Sequence, residues 1–287
     1  MTDGGAPAEP APAEEATKTG ATAWRRFARD YLSPKAEIPT QAALLAGFLF
    51  GGFILLLWCG ITYGGLVPPN FLPAPHKVLL AGIQFTQQGR LPRDIWASAR
   101  VVLLGFAISS IIAVPLGILM GGFRIVQAAL EPTINFIRYL PVTSMIPLLI
   151  LWVGIGIEQK VSVILIGTFF QQVVMIADVA RQVPRDLINV SYTLGARRGL
   201  VVTRVLLPAT LPGVVDALRV TMGWAWTYLV VAELVAANSG LGYLSLQAMR
   251  GFRVDVIFLA IFIIGFLGMA MDFLFRAIRR WGLPWAE

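Results

Sequence analysis

An all-α membrane fold with six transmembrane helices is predicted by three features of this sequence. Hydrophobic residues fill 57% of the 287 positions and charged residues only 14%, against about 25% charged in soluble domains; the mean hydropathy of +0.73 agrees. Apolar stretches near the ~20 residues that cross ~30 Å of hydrocarbon recur along the chain. Most of the 23 Lys and Arg residues fall between those stretches, a pattern of membrane topology and not the continuous basic face of a nucleic-acid binder.

Residues 1–23 are mostly Ala, Pro, Glu, Thr and Gly, without aromatic residues or apolar periodicity, so a disordered tail is expected there. It lacks the basic and apolar regions of a signal peptide. Trp24, Phe27, Tyr31 and Leu32 then recur at helical spacing with Arg25, Arg26 and Arg29 between them, which predicts an amphipathic juxtamembrane helix over 24–39 on the bilayer surface. Spans are placed at about Thr40–Tyr63, Ala97–Phe123, Ile134–Gly154, Val161–Ala180, Pro212–Ala236 and Val256–Ile278, within a permease domain over 40–280 and before a short tail at 281–287. Pro115 in the second, and Pro141 and Pro147 in the third, predict kinks.

Counting Lys and Arg across alternate loops gives sixteen on one side, Arg138 among them, and seven on the other. Both termini and the polar loop over 181–212 are accordingly expected in the cytoplasm. Cys59 lies alone in an apolar span and His76 in a loop without companion ligands, so neither a disulfide framework nor a metal site is expected.

The loop over 181–212 is too long and too basic for a simple crossing, since bundle connections usually take about 2–8 residues. Pro184 suits a helix start, Asp186 complements the N-terminal dipole, and Gly195 suits the left-handed position that stops a helix. A helix from Pro184 to Leu194 is expected, followed by a second apolar stripe of Leu200, Val201, Val205 and Leu206 that Pro208 and Pro212 close. The expected form is helix, glycine bend, helix, a knob for a partner's groove.

Gly195, nine residues, then Val205-Leu206-Leu207-Pro208 resembles the second half of the cytoplasmic-loop motif of ABC-importer permeases. The first half departs: Asn189, Val190 and Ser191 stand where that family has Glu, Ala and Ala, so no charged contact is carried over there. Phe71-Leu-Pro-Ala-Pro75, Ala97-Ser-Ala-Arg100, Pro115-Leu-Gly117, Arg138-Tyr-Leu-Pro141, Leu151-Trp-Val-Gly154, Leu218-Arg219-Val, Trp226, Ala232-Glu233-Leu and Gly240-Leu-Gly242-Tyr are similar to the permeases for nitrate, sulfonate, taurine and bicarbonate. The similarity covers about residues 66 to 285. It implies a MetI-like six-helix permease subunit, a homodimer of two such copies in a bacterial cytoplasmic (inner) membrane, and an extracytoplasmic solute-binding protein. It also implies two ATPase subunits that hold ATP and Mg, with no cofactor in this chain. The cargo implied is a small anion of the nitrate, sulfonate, taurine, bicarbonate or aromatic-acid type. Carried onto this sequence, the coupling residues would be Asp186, Asn189, Ser191, Leu194, Gly195, Ala196, Arg197, Arg198, Arg204, Leu207 and Pro208.

No phosphate-loop motif and no hydrolytic constellation occurs in the chain, so no catalysis is expected of it. Polar and aromatic residues inside predicted spans are the pathway candidates: Thr143, Ser144, Gln171, Gln172, Trp224, Trp226, Thr227 and Tyr228. Hydroxyls and amides can replace water around an anion through weak, multiple contacts, although interhelical hydrogen bonding uses the same groups. Asp216 and Arg219 are expected to pair at i, i+3 on one helix, and Glu233 and Asp272 to lie near water at span ends. A self-sufficient secondary transporter is the alternative expectation, and a scaffold without transport a third.

Overall fold

A computed structural model describes residues 39–235 and 237–286. The tail expected over 1–23 and the amphipathic helix expected over 24–39 lie outside the described residues, Pro39 apart. Among the described residues all regular structure is helical: α1 (Thr40–Tyr63), α2 (Pro75–Gln87), α3 (Arg90–Gly122), α4 (Arg124–Arg138), α5 (Ile146–Val153), α6 (Ile157–Arg181), α7 (Arg185–Thr193), α8 (Arg198–Val201), α9 (Leu207–Val235), α10 (Leu241–Arg250) and α11 (Val254–Gly282). The last of these runs through Trp281 and Gly282, so the tail expected at 281–287 begins helical. The chain forms two units that divide between Leu66 and Val67. The first contains α1, a helix of mean hydropathy 2.3 with no buried residue. The second contains the remaining helices.

Five helical stretches are long and apolar enough to span a bilayer, and the sixth span is a broken one. The kinked span expected over Ile134–Gly154 is a full break: α4 and a Val142–Val153 segment are bent from each other by 79°. The amides of Tyr139 and Leu140 close onto Phe136 and Ile137 in tight three-residue turns. Pro141 then supplies no amide and forces the preceding residue out of the helical region. Pro147 causes no break, because it sits in the first turn of α5 where an amide would have no partner. Pro115 and Pro212 likewise lie within unbroken helices.

The second unit is organised on a seam between α3 and α6. Ala97, Val101, Gly105, Ser109, Ala113 and Gly117 recur every four residues on α3 and are all buried. Lys160, Ile164, Thr168, Gln172, Ile176 and Ala180 form the matching row on α6. The backbones approach closely: a Cβ at Gly105 would lie 2.8 Å from Ile164 Cβ, and one at Gly117 2.8 Å from Ile176 Cβ. Small residues permit such contact, and van der Waals packing is the main attraction between helices in lipid. Polar groups on the same rows complete it. Ser109 Oγ donates to Gln172 Oε1 at 2.8 Å, Thr168 Oγ1 donates to Ser109 Oγ at 3.0 Å, and Gln172 Nε2 donates to Ser110 Oγ at 3.2 Å. α9 packs over this pair through Met222, Ala225, Trp226 and Leu229, which share a cluster with Val101, Val102, Phe106 and Ile164.

Two charge assignments from the sequence are corrected. Asp216 and Arg219 do not pair with each other: Arg219 Nε meets Asp272 Oδ1 at 2.5 Å, and Arg279 Nη1 meets Asp216 Oδ2 at 2.5 Å. Both ions cross from α9 to α11, where Asp272 also receives Arg276 at 2.6 Å. Glu233 is not near water but fully buried. Its carboxylate accepts from Ser98 Oγ at 2.9 and 3.0 Å and from the Gly242 amide at 2.8 Å. The Leu241 amide donates to Ser98 Oγ at 2.9 Å and the Gly240 amide to buried Asp94 Oδ1 at 3.0 Å. Three amides at the start of α10 are thus satisfied by α3 and α9 side chains, at the end of the bundle remote from α7. Lys160 Nζ donates to the Ser239 carbonyl at 3.3 Å and brings positive charge to the same knot. Gly240 is required there twice over. Its φ is +116°, and a Cβ would fall 2.1 Å from Glu233 Oε1.

Gly117→Leu is therefore expected to destabilise the detergent-solubilised protein by about 1–3 kcal/mol, the usual cost of overpacking. Gly265→Ala, whose added methyl meets nothing within 4 Å, should leave the apparent Tm unchanged in the same thermal scan. In the knot, Glu233→Gln keeps an acceptor for the Gly242 amide, whereas Glu233→Ala strands buried donors at about 1–3 kcal/mol. The Tm order expected is wild type, then Glu233→Gln, then Glu233→Ala, with Gly240→Ala at least as low.

Candidate functional site

The polar loop is built as two short helices around one glycine. α7 ends in a paired closure: the Ala196 amide reaches the Ser191 carbonyl at 3.0 Å and the Gly195 amide reaches that of Tyr192 at 2.9 Å. Gly195 has φ +81°, the left-handed conformation that this helix stop requires. The helix expected over Pro184–Leu194 is present as Arg185–Thr193. Beyond α8 the stop expected at Pro208 does not occur. Residues Val202–Leu206 form a wider turn in which the Leu207 amide bonds back to the Val202 carbonyl, and α9 continues through Pro208 and Pro212. The wider turn falls where Pro208 withdraws an amide, so the chain stays helical.

Burial separates the loop into an anchored base and a free crest. Val183 and Leu206 are buried in a cluster with Ile118, Ile176, Val214 and Ala217 of α3, α6 and α9, and Val201 is buried as well. Asp186, Asn189, Leu194, Gly195, Arg197, Arg198, Arg204 and Leu207 are exposed, while Ser191, Ala196 and Pro208 are half-buried. Leu194 is 82% exposed and Val190 57%, so the crest offers apolar groups rimmed by arginines. Ser191 Oγ donates to the Leu187 carbonyl at 2.7 Å, which occupies the hydroxyl within its own helix.

A cavity of about 260 Å³ lies among α4, α6 and α9, lined by Ile137, Arg138, Val142, Ile166, Gly167, Phe170, Gln171, Trp224, Thr227 and Tyr228. Ile166 to Gln171 straddle the middle of α6, which puts the cavity at the depth where α4 bends. A Cβ at Gly167 would fall 2.5 Å from Tyr228 Cδ2, so the missing side chain is the seat of that ring. Four pathway candidates, Gln171, Trp224, Thr227 and Tyr228, are brought together here. Thr143 and Ser144, on the turn Val142–Met145, are exposed and outside the lining. Gln172 and Trp226 are buried elsewhere: Gln172 joins the α3–α6 seam, and Trp226 belongs to the core under α9.

Arg138 was missed as a site residue. The charge count groups it with the cytoplasmic arginines; in the structure it ends α4 and lines the cavity. Its position inside an apolar span was the available signal, since an ionisable residue within a span is a functional candidate by default.

The chain matches the model of the family described as "Binding-protein-dependent transport system inner membrane component" over residues 113–281. It is 38% identical over 230 residues, 80% of this chain and 91% of the relative, to a protein of Brucella abortus (strain 2308) described as a "probable ABC transporter permease protein". It is 31% identical over 250 residues, 85% of this chain and 90% of the relative, to the taurine transport system permease protein TauC of Escherichia coli (strain K12). Among solved structures, an inward-facing conformation of the MetNI methionine ABC transporter aligns with TM-score 0.55 at 25% identity, covering 67% of this chain and 98% of that one. These matches set aside the self-sufficient secondary transporter, because the family works with a separate binding protein and a separate ATPase. A binding-protein-dependent family, a permease fold and a helical bundle with five or six spans converge: this chain is a multi-pass membrane permease subunit of an ABC importer.

Proposed function

We propose that this permease carries a small sulfonate-type anion across a bacterial inner membrane, and that two copies assemble around a shared path. The loop α7–Gly195–α8 docks in the cleft of an ATPase subunit, which holds ATP and Mg, and one ATPase serves each copy. The observation that carries the coupling role is the loop's division of labour. Its base is buried against three long helices, and its crest presents Leu194 at 82% exposure. A knob closed by a tight glycine turn and rooted on α3, α6 and α9 moves as one body with them, so motion in the ATPase reaches the bundle. Both termini and this loop lie on the cytoplasmic side, in keeping with the excess of Lys and Arg there. The sulfonate reading rests on the relative that transports taurine and on a cavity that combines aromatic walls with a guanidinium.

Deletion of Arg185–Arg204 is expected to abolish copurification with the ATPase. Leu194→Asp, which leaves the fold's buried residues untouched, should cut solute-stimulated ATP hydrolysis about tenfold, as loss of an interface hot spot does. An ATPase retained undiminished after the deletion would refute the docking assignment. In proteoliposomes containing permease, ATPase and binding protein, labelled taurine should accumulate only with internal ATP; uptake by the permease alone under an ion gradient would contradict the proposal.

A further inference from the structure

We infer that Arg138 makes the cavity between α4, α6 and α9 a transit site for a singly charged organic oxyanion, a sulfonate or carboxylate with an apolar body. The inference rests on the proposed transport of a small anion and assigns the chemistry that recognises it. Arg90, Arg181, Arg219, Arg253, Arg276 and Arg279 each have a carboxylate within ion-pair distance. Among the described residues, Arg197, Arg198 and Arg204 on the polar loop have none and are exposed to solvent; Arg138 also has none, but it lines the cavity. Its Nη2 donates to the Tyr139 hydroxyl at 3.1 Å and its guanidinium carbon lies 4.9 Å from that ring's centre, contacts that orient the group without neutralising it. Its Nε is shut off from solvent and has no hydrogen-bond partner. With Nε enclosed, the terminal nitrogens of the fork are the groups left to meet a ligand, and a guanidinium without a countercharge on a cavity wall carries a desolvation cost that an arriving anion offsets.

The class of anion follows from the walls. Guanidinium presents a planar fork matched to two oxygens of one head group. A single guanidinium balances a single negative charge, so a dianion such as sulfate would keep one charge uncompensated away from water. Trp224, Tyr228, Phe170 and Ile166 supply apolar surface for a carbon skeleton, while Gln171 and Thr227 add neutral hydrogen-bonding groups. About 260 Å³ is just under the ~300–1,000 Å³ of small-molecule sites, room for a compact organic acid. One charge-assisted contact in an open cavity also allows release, as passage requires.

The test uses the permease copurified with its ATPase. Cys59 is the chain's only cysteine, so a Cys59→Ala background carrying Thr227→Cys reports on the cavity alone. The probes are an anionic sulfonatoethyl and a cationic trimethylammonioethyl methanethiosulfonate. The anionic-to-cationic ratio of modification rates should fall about tenfold or more in Arg138→Gln, the scale of one charge-assisted hydrogen bond, and recover in Arg138→Lys. Gln171→Cys on α6 repeats the measurement if Thr227→Cys fails to fold. Ethanesulfonate should slow modification and equimolar sulfate should not. A ratio unmoved by Arg138→Gln overturns the inference; so does protection by sulfate equal to that by ethanesulfonate, or by neither. Failure of taurine uptake with the ratio still dependent on Arg138 would count against the proposed cargo and leave the anion site standing.

Discussion

The close approach of α3 to α6 is the constraint on which the rest of the second unit depends. In a bilayer the apolar faces of helices gain little by leaving lipid, so association relies on packing at short range and on hydrogen bonds. Gly105 and Gly117 bring the two backbones within reach of Ile164 and Ile176. At that separation Ser109, Thr168 and Gln172 can bond directly to one another. α9 then packs on the pair. Its ion pairs with α11 join a further long helix, and the knot at Glu233 fixes the start of α10. Each of these features presupposes a rigid α3–α6 pair.

One end and the middle of that pair hold the candidate functional features. At one end, Val183 and Leu206 root the polar loop on α3, α6 and α9, the connection that the proposed coupling role would use. Midway, the bend at Tyr139–Pro141 leaves a cavity instead of continuous packing, and Arg138 stands at its edge. The cavity, like the loop, depends on a proline and a glycine used for opposite ends. Pro141 breaks a span, and Gly167 leaves the space that the Tyr228 ring occupies against α6.

Much of the fold was legible because hydropathy and the length of a span are local properties. Five of the six expected spans exist as long apolar helices: Thr40–Tyr63 has the expected bounds, and the other four begin earlier than expected. Pro141 and Pro147 marked the third as bent, but sequence could not rank them. One lies at a helix end and the other in a first turn, and only that context decides which breaks the chain. The Gly195 stop was legible for the same local reason. The continuation through Pro208 was not, since it depends on a wider turn upstream.

The pathway residues show the limit most clearly. Gln171 and Gln172 are neighbours with one chemistry, yet the first lines the cavity and the second is fully buried on the seam. Trp224 and Trp226 divide in the same way. Adjacent residues on a helix point about 100° apart, so their roles are set by what packs on each face. The sequence by itself determined that this chain crosses a membrane, which residues form its polar loop and how that loop's first helix ends, because composition, periodicity and backbone conformation act over a few residues. Tertiary structure alone decided that Glu233 is a buried anchor, that Asp216 and Arg219 find partners on another helix, and that Arg138 faces a cavity without a countercharge. Those are properties of neighbours distant in sequence, and burial and pairing exist only once the helices have met.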